Sequence, residues 1–308
     1  MEKYEKSSSD GENPWLKESL FDDVEFSGGN GAEKEVKVEL PDSSPDFDCK
    51  AMLRTIDRCG NKEKLKSYVE DMLGRSFAEY ASIDDFTDKN PGFLEKTRSS
   101  VTNSDAEALR EYSGYNYKYI NSVLRGFWYY ELLGPKTEAA EERYRETASV
   151  MERAIQKAPA IGRDMMVFRG TNLDAFKKYR ISSLDELDNM KGQFYLERGF
   201  TSTSIVEDSS FAGRESFDDP LRKACNIEMR YKIPEGCKDG IMLIGEPLAY
   251  SKTQDEYVIN NFSLAYIDNV EVDKENNSAV IDCILVPRGF YDRMSDASNI
   301  KIRGVTEG

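Results

Sequence analysis

Four short segments carry side chains suited to binding and chemistry, and they follow one another in a set order. The first is Val167-Phe168-Arg169-Gly170, and the second is Gly199-Phe200-Thr201-Ser202-Thr203-Ser204. The third is Phe211-Ala212-Gly213-Arg214, and the fourth is Gln254-Asp255-Glu256, which runs directly into Tyr257-Val258-Ile259. An arginine presents a planar, permanently charged fork that binds phosphate oxygens bidentately. A carboxylate steadies positive charge that develops as a bond breaks. Each segment taken singly has an ordinary reading. A strand-end arginine is more often solvated or salt-bridged, Ser-Thr-Ser is a common loop composition, and Gln-x-Glu before an apolar run fits the polar face of a strand. Phe-Ala-Gly-Arg fits a turn with one buried aromatic.

What the chain lacks narrows the chemistry. It contains no histidine, and its five cysteines (Cys49, Cys59, Cys225, Cys237, Cys283) include no Cys-x-x-Cys pair. Zinc-ligand spacing, Ser-His-Asp and Cys-His arrangements are therefore absent, so imidazole neither shuttles protons nor holds a metal. The cysteines read as reduced residues of core or surface. With 308 residues, 39% hydrophobic and 32% charged, the chain suits one large or two small soluble domains. No run approaches the ~18 apolar residues of a membrane span. The N-terminus MEKYEKSSSDGENPW lacks the apolar core of a secretory signal, so export would need a non-classical route or a cut precursor. Net charge is −15, and residues 1–48 alone hold fourteen Asp and Glu against five Lys. Such a balance disfavours nucleic acid as a partner, although a local basic cleft can still hold one phosphorylated cofactor.

The elements that must position these segments follow an α+β order. Residues 1–48, rich in Ser, Gly, Asp and Glu, are expected to be an acidic disordered segment, with Trp15, Leu16, Leu20 and Phe21 as an alternative short anchor. Residues 49–308 form the folded domain, helical over about 49–158 and β over about 159–290. Leu65, Tyr68, Val69, Met72 and Leu73 follow helical spacing. Ser104 with Glu107 reads as a capping box opening a helix that ends near Gly114. A further helix runs from about Asn116 through Ile120, Val123, Leu124 and Phe127 to Gly134-Pro135, and another spans Thr137 to Lys157 before Pro159. Strands are expected at Met165–Phe168, Ile227–Ile233, Ile241–Ile244, Tyr257–Ile259 and Ala279–Val286. Helices first and strands after differ from alternating βαβ units.

Taken together and in this order, the four segments resemble the arginine / Ser-Thr-Ser / Gln-x-Glu class of bacterial mono-ADP-ribosyltransferase toxins. The nearest likeness is to the clostridial exoenzymes that modify an asparagine of Rho GTPases. The separation from Ser204 to Phe211 and Arg214 matches theirs, and Tyr119-Ile120-Asn121-Ser122-Val123-Leu124-Arg125 resembles their helix bearing Ile-Asn-x-x-Leu-Arg. The resemblance covers about residues 104 to 286. It implies helices packed beside two facing, mainly antiparallel sheets with an NAD cleft between them, and a monomer that needs no metal.

The resemblance also implies roles. Glu256 would hydrogen-bond the ribose and steady the sugar cation formed as nicotinamide leaves, with Ser202 orienting it. Arg169 and Arg214 would bind the pyrophosphate, with Arg125 and Asn121, four residues apart on one helix face, completing the phosphate and ribose contacts. Gly170 would take the nicotinamide amide, Phe211 would pack on its ring, and Thr203 would line the same site. Gln254 and Tyr250 would read the acceptor, the glutamine pointing to an asparagine-type side chain. The turn before Gln254 is longer than in those exoenzymes, and Tyr250 sits one place further from it, so a Rho-like GTPase is one acceptor among others. Some relatives with Gln-x-Glu modify DNA, which the acidic composition opposes. Two alternatives stay open: a catalytically silent binding module of the same fold, and an NAD glycohydrolase.

Overall fold

A computed structural model describes residues 44–126, 137–209, 225–250 and 255–291. Helix α1 (Phe47–Arg58) opens where the Asp46 side chain accepts from the N–H groups of Asp48 and Cys49. Order thus begins before residue 49, because Asp46 caps a helix whose Cys49, Met52, Leu53 and Ile56 are buried. Residues 1–43, with Trp15, Leu16, Leu20 and Phe21, lie outside the described residues. Helix α2 (Lys62–Leu73) buries Leu65, Val69 and Met72 as their spacing requires. Two short helices follow, α3 (Ile83–Lys89) and α4 (Phe93–Ser100).

Helix α5 (Asn103–Glu111) has its N-cap at Thr102, two residues before the expected N-cap Ser104. Thr102 accepts from the Asp105 N–H while the Asp105 carboxylate accepts from the Thr102 N–H, so Ser104 already lies in the first turn. Tyr112–Asn116 form a π turn in which Gly114 leaves helical geometry (φ −87°, ψ −128°). Helix α6 (Tyr117–Arg125) then runs to Gly126, whose φ of 80° ends it in the left-handed region. Phe127 and Gly134-Pro135 fall outside the described residues. Helix α7 (Glu138–Lys157) is capped by Thr137, which accepts from the Ala140 N–H, and stops at Ala158 before Pro159.

Among the described residues eight strands follow: β1 (Met165–Thr171), β2 (Phe194–Glu197), β3 (Thr201–Ser204), β4 (Ile227–Ile233), β5 (Gly240–Ile244), β6 (Asp255–Ile259), β7 (Ser263–Asp273) and β8 (Ser278–Val286). They pair in the order β2-β7-β8-β4-β1-β3-β6-β5, antiparallel throughout except β4 with β8. The two expected sheets are therefore hydrogen-bonded into one, but the seam is narrow: β1 and β3 meet at the single pair Phe168↔Ser204. β2, β3 and β7 have no counterpart among the strands expected from the sequence pattern. β2 is only four residues long, and a bulge between Ile267 and Asn269 breaks the alternation of β7.

The pleat sorts side chains into three buried layers. Leu264 and Tyr266 of β7, with Ile284 and Val286 of β8, pack under α1 and α2. The residues between them, Ala265, Ile267, Cys283 and Leu285, share a central core with Met165 and Val167 of β1 and with Tyr257 and Ile259 of β6. On the far face, Ile241, Leu243 and Val258 pack against Leu109 of α5, Ile120 of α6, and Met151 and Ile155 of α7. The strands on either side of the seam thus bury one face against a common core, with helices over the outer faces. No helix among the described residues is long and apolar enough to cross a membrane.

Candidate active site

The narrow seam is where the chemistry-bearing residues collect. In the β3–β6 ladder Ser202 lies opposite Val258 and Ser204 opposite Glu256, so Ser202 and Glu256 are diagonal neighbours on one face. The Ser202 hydroxyl donates to Glu256 Oε1. The second oxygen, Oε2, is buried with no hydrogen-bond partner among the described residues, and Glu256 as a whole is 9% exposed. Burial pushes this carboxyl up to about 7, against the opposing pull of the Ser202 hydroxyl and the Arg169 guanidinium. Arg169, at the outer end of β1, reaches across the seam and its Nη1 donates to the Ser202 carbonyl at 3.0 Å. Strand-end arginine, serine and glutamate, separated by 33 and 54 residues, are thus one hydrogen-bonded unit.

Helix α6 supports the entry to β3. Asn121 Nδ2 donates to the Phe200 carbonyl at 3.1 Å and to the Tyr112 hydroxyl at 3.3 Å, and the Phe200 N–H donates to Asn121 Oδ1 at 2.8 Å. Tyr112 donates its own hydroxyl to the Phe200 carbonyl at 3.2 Å. Asn121 therefore clamps the main chain two residues before Ser202. The approach is close enough that a Cβ on Gly199 would sit 2.7 Å from Asn121 Oδ1, so only glycine fits there.

One turn later, Arg125 Nε donates to Glu197 Oε1 at 2.8 Å. The same oxygen accepts from the Gly199 N–H at 2.8 Å, and Oε2 accepts from the Tyr195 hydroxyl at 3.3 Å. Burial pushes the Glu197 carboxyl up, but Arg125, with Lys178 and Arg169, outweighs it and holds the group at about 2. Glu197 is absent from the candidates read from sequence. Its one local signal is a charged residue closing the apolar stretch Phe194–Leu196.

The family model described as ADP-ribosyltransferase exoenzyme matches residues 62–287, more than half of the chain. The chain belongs to the ADP-ribosyltransferase exoenzyme family. It is accordingly an NAD-dependent mono-ADP-ribosyltransferase. Solved structures agree in fold. The chain is similar to C3stau2 from S. aureus, a structure with NAD, at 18% identity and a TM-score of 0.53, covering 69% of this chain and 100% of that one. It is similar to the Clostridium limosum C3 exoenzyme at 22% identity and a TM-score of 0.53, covering 69% and 98% respectively. Plx2a, an ADP-ribosyltransferase toxin from Paenibacillus larvae, aligns at 20% identity and a TM-score of 0.50, covering 68% of this chain and all of that chain (100%). At these identities the likeness is one of fold. No curated protein sequence matches the chain.

Against that family, the residues of this exoenzyme fit a dinucleotide co-substrate. Glu256 Oε2 is a buried acceptor without a donor among the described residues, as a ligand hydroxyl would supply. Among the described residues the Arg125 guanidinium is bound by its Nε alone, so its two terminal nitrogens are suited to an anion. Gly170 lies in β1 opposite Glu228 of β4. Thr203 turns to the other face of β3, where its hydroxyl donates to the Tyr257 carbonyl at 2.5 Å, so it ties the two strands together behind the site. Tyr250 is 59% exposed; its N–H donates to Ser113 Oγ at 2.7 Å, and its ring lies over Gly114 of the π turn. Phe211, Arg214 and Gln254 lie outside the described residues.

Proposed function

We propose that this exoenzyme releases nicotinamide from NAD and transfers the ADP-ribose to an asparagine-type side chain of a protein acceptor. A Rho-like GTPase is the first acceptor to test, and the setting is that of a toxin or effector acting inside a target cell. The observation that carries the chemistry is the buried Glu256 carboxylate, aimed by the Ser202 hydroxyl at the seam where Arg169 ends. Bound NAD supplies a cationic leaving group, and its departure leaves an oxocarbenium-like sugar. Glu256 Oε2 accepts a ribose hydroxyl and faces the positive charge, in a setting where burial strengthens the interaction. Ser202 keeps the carboxylate in place, and Asn121 and Tyr112 hold the backbone that carries Ser202.

Arg169, Arg125 and Arg214 take the pyrophosphate, with Gly170 and Phe211 at the nicotinamide end. Gln254 and Tyr250 meet the acceptor. The exposure of Tyr250 supports that reading, since a large aromatic held in place by Ser113 is suited to a protein contact. The test is incubation of a target-cell lysate with labelled NAD, followed by mass spectrometry of the labelled protein. The proposal expects one modified amide side chain; consumption of NAD without any labelled protein would leave hydrolysis as the activity.

A further inference from the structure

We propose that Glu197 is a positioning residue for the co-substrate: through its bond to Arg125 it sets the guanidinium fork at the pyrophosphate end of the site. The inference rests on the reading that Arg125 meets the pyrophosphate. Glu197 is 7% exposed and sits at the end of β2, where three hydrogen-bond donors and one further cation gather around it. Arg125 comes from α6, the Gly199 N–H from the turn into β3, and the Tyr195 hydroxyl from β2 itself. Lys178 faces it from the 3-10 helix Leu173–Tyr179, where it also pairs with Asp46 at 3.4 Å and donates to the Leu196 carbonyl.

The geometry separates two uses of the arginine. Glu197 accepts from Nε and makes no hydrogen bond to either terminal nitrogen. A carboxylate that accepted both terminal nitrogens would block the fork, whereas this one fixes its plane and leaves it usable. The Arg125 side chain is 29% exposed, against 10% for Glu197, so the carboxylate is the more buried partner of the pair. The same Glu197 oxygen holds the Gly199 N–H, so the fork is registered against the chain that leads to Ser202. Glu197 also lets Arg125, Arg169 and Lys178 gather at one place, since its negative charge offsets their mutual repulsion.

Two opposing effects follow from removing the carboxylate. The fork loses its anchor, which weakens pyrophosphate binding; the site also becomes more positive, which strengthens it. The inference holds that the first effect wins. The experiment uses the full chain and calorimetric titration with ADP and, separately, with nicotinamide. Glu197→Ala is expected to raise the Kd for ADP about tenfold, the scale of one lost charge-assisted hydrogen bond, and Glu197→Gln by roughly threefold. The Kd for nicotinamide stays at the wild-type value, and the KM for NAD rises by a larger factor than kcat falls. In an Arg125→Lys background, Glu197→Gln adds nothing further. Melting curves identify variants that fold, and Glu197→Gln, nearly isosteric, serves if the alanine variant does not. An unchanged or lower Kd for ADP in a folded Glu197 variant overturns the inference. If Arg125→Lys itself leaves ADP binding unchanged, the pyrophosphate reading falls first and takes the inference with it.

Discussion

Replacing Glu256 by glutamine should stabilise the protein increasingly as pH rises. In the unfolded chain this carboxyl ionises near 4.5, whereas burial raises it to about 7 in the folded state. A group whose folded value is raised favours folding below its unfolded value, and loses that contribution as pH climbs through the folded one. The shift is about 2.5 units, so ionised Glu256 costs about 3 kcal/mol at alkaline pH relative to a neutral side chain. Glutamine keeps an oxygen for the Ser202 hydroxyl but places an amide N–H₂ where Oε2 has no partner, a pH-independent cost of about 1–2 kcal/mol. That constant cancels when two pH values are compared. Urea unfolding of wild type and Glu256→Gln at about pH 5 and about pH 8 should show the difference moving in favour of glutamine by about 2–3 kcal/mol. A difference that stays constant within about 0.5 kcal/mol would mean that Glu256 titrates at its ordinary value in the folded protein, and the burial argument would be refuted.

Three further outcomes follow from the same geometry. The kcat/KM for nicotinamide release should rise through about pH 7 as Glu256 ionises, and Ser202→Ala should move that midpoint upward, since the serine hydrogen bond lowers the value; a midpoint unaffected by Ser202→Ala contradicts the pairing. Asn121→Ala should lower the unfolding free energy by roughly 1–3 kcal/mol, because the buried Phe200 N–H loses its acceptor, and should slow nicotinamide release through displacement of Ser202; full stability by urea titration would show that the clamp is idle. Gly114→Ala places a Cβ 3.2 Å from Tyr250 Cδ2, so it should reduce labelled acceptor formed per nicotinamide released; an unchanged ratio removes the π turn from acceptor recognition.

The parts of the fold legible in the sequence are those set by local periodicity. Val69 and Met72 of α2 and the alternation of β4 from Ile227 to Ile233 are buried as their spacing demands. β7 was hidden because its pattern changes phase at the bulge after Ile267, and β2 because four residues give too little pattern to separate from a loop. At α5, Thr102 with Asp105 outcompeted Ser104 with Glu107, and nothing in the local sequence ranks two overlapping capping boxes. For the site, Arg169, Ser202 and Glu256 could be named from order and family resemblance, and the structure brings all three into contact. Glu197 could not, because its meaning lies in a bond to Arg125, which is 72 residues away in sequence. Asn121 could be named from the family resemblance as a candidate for the phosphate and ribose contacts. Its grip on Phe200 could not, because that contact joins residues 79 apart and depends on the glycine at 199.

The most direct test of the central claim is the rate of nicotinamide release from NAD by wild type and by Glu256→Gln at about pH 8, where the wild-type carboxyl is ionised. The account predicts a loss of about a hundredfold or more in kcat, the scale of removing a main electrostatic stabiliser of the transition state, in a variant that is folded and more stable. Equal rates in the two proteins would contradict the account, because the charge would then be held by some other group.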